Sequence, residues 1–482
     1  MTTGFTRNLK PVEILSDEQI DAIHNGTLEV LETTGVTFEH EETLQLLADH
    51  GCRVDFDKKR ARIPGWLVED SLRKAPSSFA LNARNPKHNI RISNNTLYFA
   101  NSMGMSTVDL DTWEPRTPTR EENINAVKVL DSLETVHYIA PYTPYMEIEG
   151  IPTAMVMLEG MANKLRVSSK IISSAYQMDS EVYAIKMAKV AGTELIGTAC
   201  VSPPITYSES ACKAIYRWIE AGFPLDIGSG AVMGGSGPAT IAGSTITNNT
   251  EVVAGIVLAQ LIKPGAGVMV ADFVHPMDMM RGHPAFGAVE CALHAAMFVQ
   301  VFRKYGIPTH QWYGFGSGKE IDFQNGYEKS MIALLAAMSG TNVVELHGAI
   351  YGELTWHPVQ AVIDEDVVGW IGRFIEGVEV KEETLAIDLI EEVGPIPGFY
   401  LNKEHTRRWW QKEQFIPKVA DREAYQEWLK KDKKNDTIAL AKRRVEEIIA
   451  GYEANPLTLG QNRDIDTILE EARRHYKEKG LM

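Results

Sequence analysis

A short apolar segment followed by an amphipathic helix recurs eight times between residues 96 and 376, and this repeat restricts the fold more than any other feature. Strands that alternate regularly with helices form a parallel sheet, and eight units favour a closed (β/α)8 barrel of the TIM type, an α/β fold. An open doubly wound sheet is the alternative, but no GxGxxG motif follows the first strand to support it. The predicted strands are 97–100, 136–140, 170–174, 195–200, 225–228, 268–272, 308–312 and 343–346.

The segments on either side of the repeat predict two extensions. Residues 1–95 combine helical patterns with short alternating stretches, which indicates a helical and β-ribbon extension before a catalytic barrel at 96–376. Residues 377–482 form charged helical patterns, and such a C-terminal helical extension caps a barrel or builds a subunit interface. We therefore expect a homo-oligomer. The predicted barrel helices are 120–133, 153–165, 180–191, 208–221, 239–261, 284–305, 326–339 and 359–375.

The composition argues against several classes of partner. A net charge of −16 and a pI of about 5.4 disfavour nucleic acid and anionic membrane surfaces. The most apolar run, 252–262, is too short to span a bilayer, and the first residues lack the apolar region of a signal peptide. We therefore expect a soluble, cytoplasmic protein. The four cysteines are far apart and no HxxxH or HExxH spacing occurs, so no metal site is predicted and a metal-dependent hydrolase is a weak alternative.

The stretch from residue 307 to 329 ends the seventh strand and begins the next helix. Trp312, Tyr313 and Phe315 lie in it among three glycines at alternate positions. Glycine is favoured where the backbone bends tightly or approaches another group closely, and the βα loops of a barrel carry its active site. We interpret this stretch as a ligand-facing loop whose ring faces could hold a cation, as in quaternary ammonium cages. Ordinary burial of these aromatics is the alternative interpretation.

A second candidate group follows the eighth strand in the run HGAIYGELTW. His347 stands directly at the strand end, where a histidine can act as acid, base, ligand or structural hydrogen-bond donor. Tyr351, Glu353 and Trp356 follow it within ten residues and support a functional role. The sequence leaves the structural and the functional interpretation of His347 open.

Four longer motifs identify a family resemblance. The chain resembles the trimethylamine methyltransferase superfamily through GFGSGKEIDFQNGYEK at 314–329, AGSTITNNTEVVAGIVLAQLIKPGA at 242–266, GELTWHPVQAVIDED at 352–366 and DLDTWEPRTPT at 109–119. The resemblance implies a (β/α)8 barrel that moves a methyl group from an amine to the cob(I)alamin of a separate corrinoid protein. It also implies that the cobalamin belongs to that partner and that no cofactor is bound permanently.

One departure from the family pattern concerns the substrate. Trimethylamine enzymes of this family carry pyrrolysine in a βα loop, and the matching position here falls near Phe315, with no such residue present. Relatives without pyrrolysine act on quaternary amines, and glycine betaine is the donor that the resemblance favours, with dimethylglycine as product. Carnitine, γ-butyrobetaine and proline betaine are alternatives, and so is a non-catalytic protein that only binds a quaternary amine.

The resemblance and the loop chemistry together assign roles to individual residues. We expect the catalytic group to comprise His347, Phe315 and Glu353. A substrate carboxylate would meet Lys319, His347 or the amides of residues 316–318. We assign Trp312, Tyr313 and Phe315 to the ammonium pocket, with Tyr98, Tyr351 and Trp356 as further candidates.

Overall fold

The structure is a computed structural model that describes residues 4–142, 144–312, 314–430 and 437–482. Eight parallel strands form a barrel, and pairing of the eighth strand with the first closes it, which confirms the predicted (β/α)8 architecture. Closure leaves no open edge in the parallel sheet. The barrel strands are Thr96–Asn101, Tyr138–Ile139, Ile171–Ser174, Leu195–Cys200, Leu225–Ser229, Val268–Asp272, Thr309–Gln311 and Val343–His347.

Eight helices surround the barrel close to their predicted positions. The predicted start of the sixth helix at residue 284 is wrong, because His283–Pro284 instead pairs with His275–Asp278 in an antiparallel hairpin. The seventh helix begins three residues before its predicted start, after Asp322 caps its first turn. The helices are Arg120–Ser132, Thr153–Val167, Ser180–Ala191, Glu209–Ala221, Ile241–Ile262, Val289–Tyr305, Phe323–Ser339 and Pro358–Ile375.

A hairpin before the first barrel strand closes the amino-terminal end of the barrel. The hairpin of Phe79–Leu81 and Ile90–Ile92 packs its apolar side chains against the first layer of residues inside the barrel. A small sheet combines Val36–Phe38 with Arg53–Asp55, Arg60–Arg62 and Thr206–Tyr207. The helices of this region are Asp17–Thr33, Glu41–Asp49 and Gly65–Lys74.

The residues after the barrel form six helices within the described part of the chain. Thr437–Ala450 buries Ala441, Val445 and Ile448 in an apolar cluster with the first barrel helix, and Leu459–Glu478 packs against the second and third. Across the described residues, no helix has the length and apolar character needed to cross a membrane. The other four helices are Glu382–Leu385, Ile387–Val393, Glu404–Glu413 and Tyr425–Leu429.

A buried ion pair fixes the loop after the eighth strand. Lys329 donates to the Asp364 carboxylate over 2.7 Å and to the carbonyl oxygen of Ala349 over 2.9 Å. The same Asp364 oxygen accepts the backbone N–H of Gly348 over 2.8 Å. Both charged side chains are almost completely buried. The seventh and eighth helices are thereby tied to the strand end where the site lies.

Lys329→Met should destabilise the protein by about 3–5 kcal/mol, because it leaves the Asp364 charge buried without its partner. Urea unfolding monitored by circular dichroism measures this change. The matched control is Lys329→Met combined with Asp364→Asn, which removes the orphaned charge and should recover part of the loss. Unfolding of the single variant within about 0.5 kcal/mol of the parent, the range of ordinary surface substitutions, would contradict a structural role for this pair.

Candidate functional site

The interior of the barrel changes from apolar to polar along the strands. Its first layer includes Ile171, Ile196, Met269 and Val343, which pack together with the amino-terminal hairpin. Side chains two residues apart on a strand point to the same face. The next inward positions are polar or small on several strands, and they include Ser173, Thr198, Ala271 and Glu345. The polar layer therefore lies nearer the carboxyl ends, where barrels carry their sites.

A hydrogen-bonded network centred on His310 fills this layer. The Nδ1 atom of His310 lies 2.8 Å from Oδ2 of Asp226, and the indole N–H of Trp312 donates to the same oxygen over 3.1 Å. On the other side of the ring, Nε2 of His310 lies 3.3 Å from the Tyr138 hydroxyl and 3.7 Å from Oε1 of Glu345. The network joins groups from the second, fifth, seventh and eighth strands.

Two carboxylate oxygens of this network remain unused. Oδ1 of Asp226 and Oε2 of Glu345 are buried and have no hydrogen-bond partner among the described residues. Burial raises the pKa of Glu345 well above its usual range, and repulsion from Asp226 and Glu353 adds to the shift. Acidic groups crowded in this way favour a bound cation, because a positive charge offsets their repulsion. Among the described side chains, no group of three or more His, Cys, Asp or Glu is arranged to hold a metal ion.

Three half-buried residues lie near this network. Glu353 lies on the loop after the eighth strand, and burial raises the pKa of its carboxyl group. Cys200 ends the fourth strand; burial raises the pKa of its thiol to about 12, with contributions from Asp226, Glu353 and Glu345. A thiol with so high a pKa stays protonated near neutral pH and is a poor nucleophile. Tyr142 is also half-buried here, with Cys200 and Glu353 among the groups that raise its pKa.

The structure brings two of the predicted residues to this network. Trp312 follows the seventh strand, is 7% exposed, and packs its ring against Gly228 of the fifth strand. A Cβ atom at Gly228 would lie 2.1 Å from the Trp312 ring, so that position admits only glycine in this arrangement. Glu353 reaches the same end of the barrel from the opposite loop. The pair supplies a ring and a carboxyl group next to the buried acids.

His347 and Trp356 lie behind the barrel wall. Nε2 of His347 is 2.9 Å from the Thr135 hydroxyl, and its Nδ1 is 3.3 Å from the carbonyl oxygen of Ala100. Burial lowers the pKa of His347 to about 3, so the imidazole is neutral. Trp356 is fully buried and donates its indole N–H to the His347 carbonyl oxygen over 2.9 Å. Both side chains stabilise the strand end and neither joins the acidic network.

Phe315 and the loop glycines pack against the protein itself. Phe315 is 1% exposed and contacts Phe273, His275 and Phe286 between the sixth and seventh helices. The backbone N–H of Ser317 donates to the Glu328 carboxylate over 2.6 Å. The predicted anion-binding amide of residue 317 is therefore already bound by a carboxylate of this chain.

Cβ atoms placed on the three glycines of this loop would collide with neighbouring atoms. They would lie 2.0 Å from the Glu345 carbonyl oxygen at Gly314, 2.5 Å from Glu328 at Gly316 and 2.8 Å from Asn325 at Gly318. The glycines thus allow close packing of the loop on the eighth strand and the seventh helix.

Three of the remaining predicted residues occupy two different places. Lys319 and Tyr351 lie at the rim, with the lysine Nζ 4.5 Å from the tyrosine ring centroid, so this ring face already holds a cation. Tyr98 is fully buried at the closed end, where its hydroxyl donates to the Arg91 carbonyl oxygen over 3.2 Å. The structure does not bring these three residues to the acidic network. Tyr313 lies outside the described residues.

Sequence analysis missed four members of the network: Asp226, His310, Glu345 and Tyr138. A signal for Asp226 and Glu345 was present, because each is a charged residue inside a short predicted strand whose other residues are apolar or small. Such residues are rarely fully buried without a specific partner or function. Inward polar positions on neighbouring strands meet at one level of a barrel.

Comparison with known proteins gives a consistent family assignment. The family model described as trimethylamine methyltransferase (MTTB) matches residues 1–477. A glycine betaine methyltransferase of Desulfitobacterium hafniense (strain Y51) is 30% identical over 457 residues, which cover 92% of this chain and 94% of the relative. The trimethylamine methyltransferase MttB of Desulfitobacterium hafniense (strain DSM 10664 / DCB-2) is 28% identical over 473 residues, covering 96% and 94%.

A solved structure shares the fold at much lower sequence identity. The crystal structure of the Methanosarcina barkeri monomethylamine methyltransferase (MtmB) superimposes with a TM-score of 0.50 at 12% identity and covers 98% of this chain and 89% of its own. With the family match extending over nearly the whole sequence, the chain belongs to the trimethylamine methyltransferase family.

Proposed function

We propose that this protein transfers a methyl group from a quaternary amine to the Co(I) centre of a separate corrinoid protein. Glycine betaine is the first donor to consider, because a relative of 30% identity is named as a glycine betaine methyltransferase. Family membership supports the reaction class. The observation that carries the proposal is the buried pair of acidic residues Asp226 and Glu345 beside the Trp312 ring.

This network suits a permanent cation better than a neutral ligand. A trimethylammonium group has no N–H to donate, so it is held by charge and by ring faces. The unused oxygens of Asp226 and Glu345 supply negative charge at low dielectric, and the Trp312 ring supplies a polarisable face. The hydrogen bond that the Trp312 indole N–H donates to Asp226 fixes both groups relative to each other.

The chemistry requires orientation more than activation. In a quaternary amine the nitrogen already bears the charge that makes a neutral amine the leaving group. The methyl carbon bonds to Co(I) as the C–N bond breaks, and the bonding pair stays on nitrogen, which gives dimethylglycine from glycine betaine. The acceptor is a substrate carried by the partner protein, and the cytoplasm is the compartment we assign to both. The protein's task is to hold one methyl group toward the open end of the barrel.

Few residues near the network could bind the carboxylate of the methyl donor. His347 faces the barrel wall, and the Ser317 amide is bound by Glu328. Lys319 remains at the rim, and the raised pKa of Glu353 allows its protonated carboxyl group to donate a hydrogen bond. Carnitine, γ-butyrobetaine and proline betaine, which differ in the distance between nitrogen and carboxylate, are therefore the alternative donors.

A substrate panel tests the proposal. The protein is mixed with a reduced corrinoid protein and each of glycine betaine, carnitine, γ-butyrobetaine, proline betaine and trimethylamine, while methyl-Co(III) absorbance is followed. We expect methylation with at least one betaine and little with trimethylamine. Betaine binding measured by calorimetry, without methylation by any member of the panel, would establish a binding protein and contradict the proposed enzyme.

Glu345→Gln should weaken the binding of the active betaine by about ten- to a hundred-fold, because a charge pair at an effective dielectric constant near 20 contributes a few kcal/mol. Isothermal titration calorimetry measures the loss. The matched control is Glu320→Gln, which removes an exposed carboxylate at the rim and should leave affinity unchanged. If glycine betaine is the donor, its isostere 3,3-dimethylbutanoate, with carbon in place of the charged nitrogen, should be insensitive to both changes. Equal losses for both ligands would contradict charge recognition by Glu345.

Betaine affinity should rise as pH increases through the raised pKa of Glu345. The folded protein raises the pKa of Glu345, so this group is protonated and neutral below that pKa and attracts the cation above it. A quaternary nitrogen does not titrate, which assigns the dependence to the protein. Calorimetry across this range checks the trend, and Glu345→Gln should reduce its slope. Affinity that falls with rising pH would show that the sign of this argument is wrong.

Trp312→Ala should weaken betaine binding by about 1–2 kcal/mol if the indole forms a desolvated wall of the cage. Trp312→Phe, which keeps a ring but loses the N–H donated to Asp226, should lose less. Titration calorimetry on variants shown to be folded by circular dichroism compares the two. Unchanged affinity in folded Trp312→Ala would remove this residue from the pocket.

A further inference from the structure

An arm formed by residues 378–413 projects from the barrel with almost no core of its own. Trp409 is the only buried residue in this described segment of the chain. The arm leaves the barrel just after the eighth helix, and Arg373 of that helix binds Glu413 at its far end over 3.0 Å. Its exposed apolar residues are Val378, Val380, Leu385, Ile387, Ile390, Ile396, Phe399, Tyr400, Leu401 and Trp410.

The internal contacts of the arm are too weak to account for its structure. Lys381, Arg408 and Lys412 lie over the Trp409 ring, and Lys403 pairs with Glu392 over 2.7 Å. Exposed ion pairs contribute little, and helices of four and seven residues are not stable in isolation. Contact with a second extended surface would bury the apolar side chains of the arm. Ile396, for example, is 94% exposed.

A second uncovered surface lies on the seventh helix. Phe323, Tyr327, Met331 and Leu335 recur every four residues along its outer side, and all are exposed. The two charged residues inside this helix, Glu328 and Lys329, are buried on its other side. Soluble helices normally carry their charges outward. A stripe of this kind marks a protein interaction site.

The neighbouring eighth helix widens this surface. Trp370 and Phe374 stack with ring centroids 5.9 Å apart and are both exposed. Between the two helices lies an apolar groove of about 510 Å³, whose walls include Met331, Leu334, Val367 and Trp370. The stripe on the seventh helix, this ring pair and the groove together form what we call the helix face.

We propose that the helix face of one copy is covered by the arm of a second copy, and reciprocally, in a two-fold dimer. The chain thus supplies both members of the contact, as a two-fold interface requires. Each copy would contribute ten exposed apolar residues of the arm and six of the helix face, a substantial part of the roughly 20–30 residues a side that stable interfaces use. The dimer does not depend on the methyl-transfer proposal, and it gives the expected homo-oligomer a specific surface.

The positions of the helix face and of the arm favour a second copy of the chain, rather than the corrinoid protein, as the partner that covers the helix face. Barrel helices run from the carboxyl ends of the strands toward the closed end, so Leu335 and Phe374, late in their helices, lie far from the mouth. The arm also begins at that closed end, just after Ile375. A partner that must reach the barrel mouth would instead use the opposite end of these helices.

Sedimentation velocity of the full chain tests the dimer. We expect a dimer or a larger assembly at micromolar concentration, and at least a hundred-fold weaker self-association in Met331→Glu and in Ile387→Glu. Val289→Glu places the same charge on an exposed apolar position of the sixth helix and should leave assembly unchanged. Circular dichroism verifies that the variants are folded. A monomeric parent, or an assembly insensitive to both changes, would overturn the proposal.

Cross-linking tests which surfaces meet. Chains with Met331→Cys are mixed with chains of different mass that carry Ile387→Cys, and a short bismaleimide is added. We expect a covalent heterodimer that is absent when either substitution is omitted. A third variant carries both substitutions in one chain. A cross-link that forms only within this doubly substituted chain, and not between chains, would contradict the proposal that the arm covers the helix face of a second copy. Intact assembly of Met331→Glu together with lost corrinoid-protein binding would assign the helix face to that partner and also overturn it.

Discussion

Closure of the barrel is the constraint on which the rest of the structure depends. Because the eighth strand pairs with the first, inward side chains are packed on all sides and cannot turn toward solvent. At the closed end the inward side chains are apolar, so they need no hydrogen-bond partner when they are buried. At the carboxyl ends, His310 hydrogen-bonds to Asp226 and lies 3.7 Å from Glu345, and two carboxylate oxygens stay unused. A buried negative charge of this kind is expensive unless a cation accompanies it.

In the proposed methyl transfer, the same arrangement has consequences for catalysis. Carboxylates that attract a quaternary nitrogen stabilise the bound donor more than the transition state, in which the positive charge is already leaving, so they contribute to binding more than to rate. Once the product nitrogen is neutral, this attraction is lost and release becomes easier. The raised pKa of Glu345 allows that group to take a proton when the cation is gone. The acceleration must then come from the orientation of the methyl group toward the barrel mouth.

Much of the fold could be predicted from the sequence, whereas most of the site could not. Each strand is a short apolar run bounded by turn residues, so the repeat could be recognised from the sequence. Trp312 and Glu353, which the structure brings near the network, were predicted because they lie near strand ends. A register shift between Glu345 and His347 breaks the alternation of the eighth strand, and the His347 side chain bonds Thr135 in the wall. No local sequence pattern predicts such a register shift. The loop glycines were equally ambiguous, because close packing against Glu328 and close approach to a ligand require the same residue.

A crystal structure of the protein with its active betaine would test the central claim most directly. The account predicts the quaternary nitrogen beside the Trp312 ring and near the free oxygens of Asp226 and Glu345, with one methyl group directed to the open end of the barrel. Density for the ligand at the rim between Lys319 and Tyr351, or outside the barrel altogether, would contradict it.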